Sequence, residues 1–224
     1  MNDFQSIAIA HAIGASTPNV ALYWPLIRKA LALKGINSRY ALAAAIATVR
    51  VEATSKFAPI SELGNAEYFK VHYEDNKRLA AQLGNRRVGD GALFHGRGFV
   101  QITGRANYAK YGKLIGVDLV ANPELANKPE VAAAIFATYF HDHGVNVWAD
   151  KAGAAKTSTD RIRCWQMTRK LVNGGLNGFP LYMQALEAVL ALPFGESKEI
   201  SAPLQPAPTP AQKPPDSADP QKQP

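Results

Sequence analysis

The chain has 224 residues, of which 47% are apolar, and its formal net charge is +7. This length and apolar content predict one globular domain, and they exclude a chain that is too polar to form a core. The single cysteine, Cys164, excludes an internal disulfide framework. The positive charge indicates polyanionic surroundings, for which nucleic acid, an anionic membrane face and the acidic polymers of a bacterial wall are candidates.

The amino-terminal part predicts three helices. The first stretch, "MNDFQSIAIAHAIGAS", carries an acidic and no basic residue at its start, which favours an amphipathic helix over a signal peptide. The second helix should begin near Thr17 and stop at Gly35, with Pro25 bending or splitting it. The third, "NSRYALAAAIATVRVEA", should be capped by Asn37 or Ser38. No run of about 18 apolar residues occurs, so we expect no stable membrane insertion.

The rest of the chain predicts long loops, then more helices, then a tail. Residues from about 54 to 128 predict loops, with "GFVQIT" as the best short strand. Three helical segments follow, the middle one capped near Ser158 or Thr159: "KPEVAAAIFATYFHDHG", "STDRIRCWQMTRKLVNGG" and "FPLYMQALEAVLAL". Residues 197–224 are rich in Pro, Ala, Gln and Lys, which predicts a disordered tail. We therefore expect a mainly α domain over residues 1–196.

Glu52 is the first candidate for chemistry. It continues an apolar stripe along the third helix, which comprises Leu42, Ala45, Ile46 and Val49. A carboxyl group on such a face, at the carboxyl end of a helix, is disfavoured as an anion by burial and by the helix dipole. That environment suits a general acid. The alternative is a simple ion pair between Glu52 and Arg50 or Arg39.

A second carboxylate would be needed for glycoside hydrolysis. The loop after Glu52 offers Glu62, Glu67, Glu74 and Asp75, each of which alone is also typical of a solvated surface. Glu62 lies between the apolar "FAPI" and Gly64, a position that predicts an ordered loop facing the helix.

The stretch "FHGRGFVQITGRANYAKYG" brings glycines together with short polar side chains. Gln101 and Thr103 would share one face of an extended segment, and their amide and hydroxyl groups can bind a sugar or a water. Asn107 follows closely, and Tyr108 and Tyr111 could stack on a pyranose ring.

Other kinds of site find little support. His141 and His143 are two residues apart near a helix end and should point in different directions, so we expect no metal site. The Gly-rich stretch lacks the Gly-Lys-Ser/Thr ending of a phosphate-binding loop. Lys and Arg are scattered rather than clustered with aromatics, so we expect no nucleic-acid partner.

The segment "GDGALFHGRGFVQITGRANYAKYG", with "ATVRVEA" before it and "LVNGGLNG" after it, resembles glycoside hydrolase family 19. That family contains plant-type chitinases and bacteriophage endolysins, and the resemblance covers roughly residues 36–192. It implies a lysozyme-like, bilobal helical fold with long loops and a substrate cleft between the lobes. It also implies an inverting, single-displacement mechanism that uses no metal or organic cofactor.

The resemblance implies roles for the candidate residues. Glu52 matches the general acid, and Thr103 matches the hydroxyl that holds the attacking water. Gln101, Asn107 and Asn173 match substrate-contacting residues.

The general base is left between two residues. Glu62 fits the family members with a short loop after the acid, and Glu74 fits the longer spacing. We favour Glu62. The chain reads "EATSKF" after the acid, where the family usually has Thr-Gly-Gly, so the geometry of this loop is left open.

The expected activity is cleavage of β-1,4 linkages in an N-acetylated polysaccharide. We favour peptidoglycan, as for a phage lysin that accumulates in the cytoplasm until it is released to act on the wall. The reasons are the positive charge, the lack of disulfides and the lack of a recognised signal peptide. Chitin is the alternative substrate, and a non-catalytic wall-binding module is a further alternative. The expected protein is a monomer whose partner is the polysaccharide.

Overall fold

The computed structural model describes residues 3–193, so the predicted tail at 197–224 lies outside the described residues. Within this range the chain forms eleven α-helices: α1 Asp3–Ile13, α2 Thr17–Leu33, α3 Arg39–Glu52, α4 Ala66–Lys70, α5 Lys77–Leu83, α6 Asp90–Leu93, α7 Arg105–Ile115, α8 Pro129–Asp142, α9 Val145–Ala154, α10 Ser158–Asn173 and α11 Phe179–Leu190. Two short strands, β1 Ile60–Ser61 and β2 Arg97–Gly98, pair antiparallel. The mainly α class is confirmed.

Three short turns that are tighter or wider than an α-helix complete the secondary structure of the described residues. Two are 3₁₀ turns, at Thr54–Lys56 and Pro123–Asn127, and one is a π-helical turn at Val71–Asp75. None of the helices within residues 3–193 has both the length and the apolar character that a membrane span requires.

Helix α3 lies at the centre of the larger group of helices. It packs against α9, α10 and α11, while α2 packs on α8 and α1 covers α2 and α11. Every residue from 41 to 49 is buried. The expected one-sided apolar stripe is therefore wrong, because the alanines of α3 let helices approach it from all sides.

A smaller group of short elements carries the middle of the chain. Helices α4, α5 and α6 pack around the π-helical turn, and α7 contacts both α5 and α8. Strand β2 contacts α8 and the 3₁₀ turn Pro123–Asn127, so it joins the two groups. This division into a larger and a smaller group agrees with the expected bilobal fold.

Several predicted elements differ from the structure. Helix α2 continues through Pro25, because its buried residues Trp24, Ile27 and Leu31 anchor both halves in the core. The expected loops at 54–128 contain α4 to α7, and α9 was not predicted. The expected strand "GFVQIT" is wrong beyond Gly98, where only one isolated bridge, from Arg97 to Ile102, continues the pairing.

Candidate active site

Glu52 is the last residue of α3, and its carboxylate is paired with Arg169 of α10. Arg169 Nη1 donates to Glu52 Oε1 at 2.5 Å, and the two side chains are 3% and 18% exposed respectively. The carboxylate at the buried end of α3 is therefore in direct contact with a cation, which the sequence pattern of α3 does not indicate.

The alternative partners expected for Glu52 are engaged elsewhere. Arg50 Nε donates to the carbonyl of Ile13 at 2.7 Å. Arg39 Nη2 donates to the carbonyls of Leu190 and Leu192. The alternative of an ion pair with either arginine is thus not found. Arg50 instead ties α3 to the end of α1, and Arg39 ties it to the end of α11.

Arg169 also holds the turn that follows α10. Its Nε donates to the carbonyl of Asn177 at 2.8 Å, and Asn173 Nδ2 donates to the same carbonyl at 3.0 Å. Asn173 Oδ1 accepts from the backbone N–H of Gly175 at 2.9 Å. Asn173 therefore shares the carbonyl of Asn177 with Arg169, the partner of Glu52. The amide group of Asn173 is engaged within the turn that follows α10.

Glu62 follows β1 and is held on three sides. Its backbone N–H donates to the carbonyl of Gly96 at 2.8 Å, which extends the pairing of the two strands. Its Oε2 accepts from the backbone N–H of Gly96 at 3.1 Å, and its Oε1 accepts from the hydroxyl of Tyr73 at 2.8 Å. The carboxylate is therefore fixed at both oxygens.

Three polar side chains meet at Gly96. A Cβ atom added to this glycine would lie 2.9 Å from Gln101 Oε1, 3.2 Å from Glu62 Oε2 and 3.3 Å from Thr103 Oγ1. The structure thus brings together Glu62, Gln101 and Thr103. The absence of a side chain at position 96 leaves room for these three oxygens, and a methyl group there would make them shift.

The polar residues of this loop are ordered by their own hydrogen bonds. Gln101 Nε2 donates to the carbonyls of Ile60 and Gly98 at 2.8 and 2.9 Å, so its Oε1 is the end that points to Gly96. Thr103 Oγ1 donates to the carbonyl of Gln101 at 3.0 Å, and Asn107 Nδ2 donates to that of Thr103 at 2.8 Å. Gln101 has φ of +52°, an unusual backbone conformation for a residue with a side chain.

The expectation that Tyr108 contacts substrate is wrong. Its side chain is fully buried, and burial raises the pKa of its phenol to about 12. Its hydroxyl donates to the carbonyl of His95 at 2.7 Å and accepts from Arg97 Nη1 at 2.9 Å. Tyr111 is likewise buried, and its hydroxyl contacts Nε2 of His143. Tyr108 therefore supports the loop around Gly96 from behind, whereas Tyr111 packs against Tyr139 of α8.

Glu74, the alternative base, closes a loop. Its Oε1 accepts from the backbone N–H of Gly91 at 2.8 Å, and its Oε2 accepts from that of Gly89 at 3.1 Å. Both oxygens of Glu74 therefore bind the backbone at Gly89 and Gly91, which precede the loop around Gly96. This arrangement favours Glu62 over Glu74 as the carboxylate that meets Thr103.

Two residues of the site were missed by the sequence reasoning. Arg169 precedes Asn173 by four residues on α10, so the helical spacing places both on one face and could have indicated the contact. Tyr73 precedes Glu74, but no sequence pattern connects it with Glu62. Within residues 3–193 no three His, Cys, Asp or Glu side chains are grouped as metal ligands.

The model of one protein family, described as chitinase class I of the glycoside hydrolase 19 family, matches residues 36–179. This range is more than half of the chain and includes both carboxylates and the loop around Gly96. The chain belongs to glycoside hydrolase family 19.

Individual relatives match shorter stretches. Chitinase 8 of Oryza sativa subsp. japonica is 31% identical over 94 residues, which are 37% of this chain and 35% of the relative. A glycosyl hydrolase family 19 domain-containing protein of Haemophilus influenzae is 34% identical over 106 residues, which are 46% of this chain and 45% of the relative. The chain thus spans less than half the length of these relatives.

Solved structures show a more distant likeness. Chitinase C of Streptomyces griseus is 21% identical with a TM-score of 0.41, over 68% of this chain and 57% of that chain. A mutant of chitinase C is 19% identical with a TM-score of 0.42, over 84% of this chain and 92% of that chain.

Proposed function

We propose that the protein hydrolyses β-1,4 linkages between N-acetylated hexosamine units, with inversion at the anomeric carbon. The observation that carries this proposal is the pair of differently held carboxylates in a family 19 chain. Glu52 ends the buried helix α3 beside Arg169, and Glu62 meets Gln101 and Thr103 at Gly96. Two carboxyl groups, one acid and one base, are what inverting glycosidases require.

In the proposed step, Glu52 donates its proton to the glycosidic oxygen while the bond from that oxygen to the anomeric carbon breaks. Glu62 accepts a proton from a water held by Thr103, and the oxygen of that water bonds to the anomeric carbon from the opposite face. One water is consumed, and exchange with solvent returns both carboxyl groups to their starting states. Arg169 stabilises the carboxylate that Glu52 becomes after it has donated its proton.

We propose chitin-type chains of N-acetylglucosamine as the substrate. The names of the relatives support this: those from Oryza sativa, Petunia hybrida and Solanum lycopersicum are called chitinases or endochitinases. The sequence alone favours peptidoglycan, and this proposal reverses that preference. Peptidoglycan stays a second candidate, because a net charge of +7 favours association with the acidic polymers of bacterial walls.

The test is a parallel assay of reducing ends released from colloidal chitin and from purified peptidoglycan. Release from chitin alone supports the chitin proposal, and release from peptidoglycan alone contradicts it in favour of the second candidate. Release from neither contradicts the hydrolase proposal and leaves a binding module. NMR of the first product anomer tests inversion, because a retained configuration is incompatible with the proposed step.

Variants of the three carboxylates test the residue roles. Glu52→Gln should lose more than 100-fold in turnover on natural chains, and should regain much of it on a substrate with a nitrophenyl leaving group, which needs little protonation. Glu62→Ala should instead regain turnover with added azide, a nucleophile that needs no base. Glu74→Gln is the matched control and should keep most of its turnover. Equal losses in Glu62→Ala and Glu74→Gln would contradict the choice of base.

A further inference from the structure

The hydroxyl of Tyr73 makes a direct contact with the carboxylate to which we assign the role of base. Tyr73 Oη donates to Glu62 Oε1 at 2.8 Å, while the backbone N–H of Gly96 donates to Glu62 Oε2 at 3.1 Å. Each oxygen of a carboxylate can accept about two hydrogen bonds. Both oxygens are therefore held in place, and each retains capacity to accept a bond from a water.

Tyr73 is itself held rigidly by its neighbours. Asn85 Nδ2 donates to the carbonyl of Tyr73 at 3.1 Å, and Asn85 Oδ1 accepts from the backbone N–H of Arg105 at 2.9 Å. The ring of Tyr73 is nearly parallel to that of Phe69, with centroids 6.2 Å apart. The ring of Phe69 in turn stacks on that of His95 at 4.4 Å, next to Gly96. The phenol is thus fixed from the backbone and from its ring.

The π-helical turn Val71–Asp75 explains how two consecutive side chains serve the same region. Tyr73 reaches Glu62, and Glu74 reaches the backbone N–H groups of Gly89 and Gly91. In a regular α-helix, neighbouring side chains point about 100° apart around the helix axis. The wider π-helical turn alters this angle between Tyr73 and Glu74. π-Helical turns occur frequently at functional sites.

We propose that Tyr73 is a positioning residue that orients the carboxylate of Glu62 and keeps it ready to accept a proton. This inference rests on the proposed function for the role of Glu62, although the contact itself does not. A phenol suits the task because it donates to a carboxylate and favours its charged form. Burial, followed by the hydrogen bond to Glu62, raises the pKa of Tyr73, so the phenol keeps its proton throughout the working range of pH.

Other titratable groups near Glu62 do not replace this contact. The phenol of Tyr108 interacts electrostatically with Glu62 but is bonded to the carbonyl of His95. Arg97 lies on the paired strand and is bound to Glu124 at 2.5 Å. The ring of His95 directs Nδ1 to the carbonyl of Ala92 at 2.7 Å. Within residues 3–193, the side chain that donates a hydrogen bond to the Glu62 carboxylate is that of Tyr73.

The test is Tyr73→Phe, which retains the ring and its packing on Phe69 and removes one hydroxyl. Its matched control is Tyr40→Phe, which removes the same atom from a ring that packs on Gly153 in the larger group of helices. On a chito-oligosaccharide, we expect kcat to fall about 10-fold or more with KM little changed. We also expect the acidic limb of the pH–rate profile to move to higher pH, because the carboxylate of Glu62 loses a hydrogen-bond donor.

A second measurement does not depend on activity. Carbon-13 NMR of labelled glutamate side chains, assigned with Glu62→Gln, gives the titration midpoint of Glu62 in the wild type and in Tyr73→Phe. A higher midpoint in Tyr73→Phe, with no change in Tyr40→Phe, supports the inference.

The outcomes separate the two proposals. If the wild type were inactive and the titration midpoint of Glu62 were higher in Tyr73→Phe, the proposed function would be contradicted. The positioning of the Glu62 carboxylate by Tyr73 would then still be supported. An active Tyr73→Phe with an unchanged pH profile and an unchanged midpoint would overturn the inference. A loss of activity that accompanies a lower Tm and no change in midpoint would also overturn it, because the hydroxyl would then serve stability alone.

Discussion

Arg169 places a cation against the carboxylate of Glu52 at the end of α3. Its guanidinium is 3% exposed, donates to Glu52 through Nη1 and donates to the carbonyl of Asn177 through Nε. One planar group therefore links the proposed acid to the turn after α10. A lysine could supply the charge but not both directed bonds.

We predict that Arg169→Gln lowers turnover at least 10-fold, because the carboxylate that Glu52 becomes after proton donation loses the cation beside it. The free energy of unfolding should fall by about 2 kcal/mol, since a largely buried carboxylate loses its partner. Arg169→Lys should keep more turnover than Arg169→Gln, because it retains the charge, but it should lose the hydrogen bond to the carbonyl of Asn177. Kinetics on chito-oligosaccharides and unfolding in urea check these outcomes.

Arg163→Gln is the control on the same helix. Its guanidinium is 72% exposed and lies 3.7 Å from Asp160, in a surface pair that contributes little to stability. If Arg169→Gln kept as much turnover as Arg163→Gln, the assigned link between Arg169 and Glu52 would be contradicted.

At the scale of elements, the loop around Gly96 replaces what the sequence predicts as a strand. Strand β2 ends at Gly98, and the positive φ angles of Gly98 (+84°) and Gln101 (+52°) turn the chain back on itself. The turn brings Gln101 and Thr103 to Gly96 beside Glu62. A tight loop with glycines, rather than a ladder of strands, thus builds this side of the site.

We predict that Gly96→Ala reduces turnover about 10-fold with a small effect on Tm. The backbone of Gly96 does not have a positive φ, so alanine is allowed there, but its methyl group would displace the oxygens of Gln101, Glu62 and Thr103. A displacement of about 1 Å at a reacting centre costs about 100-fold, and the smaller shifts needed here should cost less. Kinetics on chito-oligosaccharides and thermal unfolding measure the two effects.

Gly112→Ala is the contrasting variant for this prediction. Its added Cβ would lie 2.6 Å from the carbonyl oxygen of Val117, away from the two carboxylates. It should lower Tm while the folded enzyme keeps its kcat. If Gly96→Ala behaved in the same way as Gly112→Ala, the site would not depend on the space at Gly96.

The sequence predicts some elements well because their signals are local. The cap at Ser38, whose side chain accepts from the N–H of Ala41, and the start of α8 at Pro129 follow from side-chain chemistry within one turn. The continuity of α2 through Pro25 depends on burial against α8, which no local pattern contains. Helix α9 likewise lacks a local start signal, because no side chain caps its amino end.

The site shows the same division between local and tertiary information. The motif around Gly96 predicts Gln101, Thr103 and Asn107 as site residues, but it does not predict the burial of Tyr108. The partners Arg169 and Tyr73 lie 117 and 11 residues from the carboxylates they contact. Such pairs follow from the packing of helices and of the π-helical turn, and periodicity does not reveal them.

At the scale of the whole molecule, Asp90 links the smaller group of elements to α7. Its side chain is 2% exposed, and its Oδ2 accepts from the backbone N–H groups of Arg86 and Arg87 and from Arg105 Nε at 2.9 to 3.0 Å. Its Oδ1 accepts from Arg105 Nη2 at 2.5 Å. Burial alone would raise the pKa of Asp90, but these donors outweigh burial and lower the pKa to about 2.

The pKa of Asp90 determines how the stability of the protein should depend on pH. The pKa is lower in the folded state than the ordinary value of 3.8, so the carboxylate stabilises the fold above about pH 4. This contribution, about 2 kcal/mol, is lost as the pH falls from about 4 to 2. We therefore predict that the free energy of unfolding of Asp90→Asn is lower near pH 7 and falls less steeply than that of the wild type below pH 4.

Urea unfolding between pH 2 and 7 measures this difference, with Asp75→Asn as the control. The carboxylate of Asp75 is half exposed and 3.8 Å from Lys70, so its removal should change stability by less than about 1 kcal/mol. Because Asp90 lies within the loop that Glu74 closes and is bonded to Arg105 at the start of α7, Asp90→Asn should also weaken the support of the loop around Gly96. Equal acid slopes in Asp90→Asn and in the wild type would show that other carboxylates control acid unfolding.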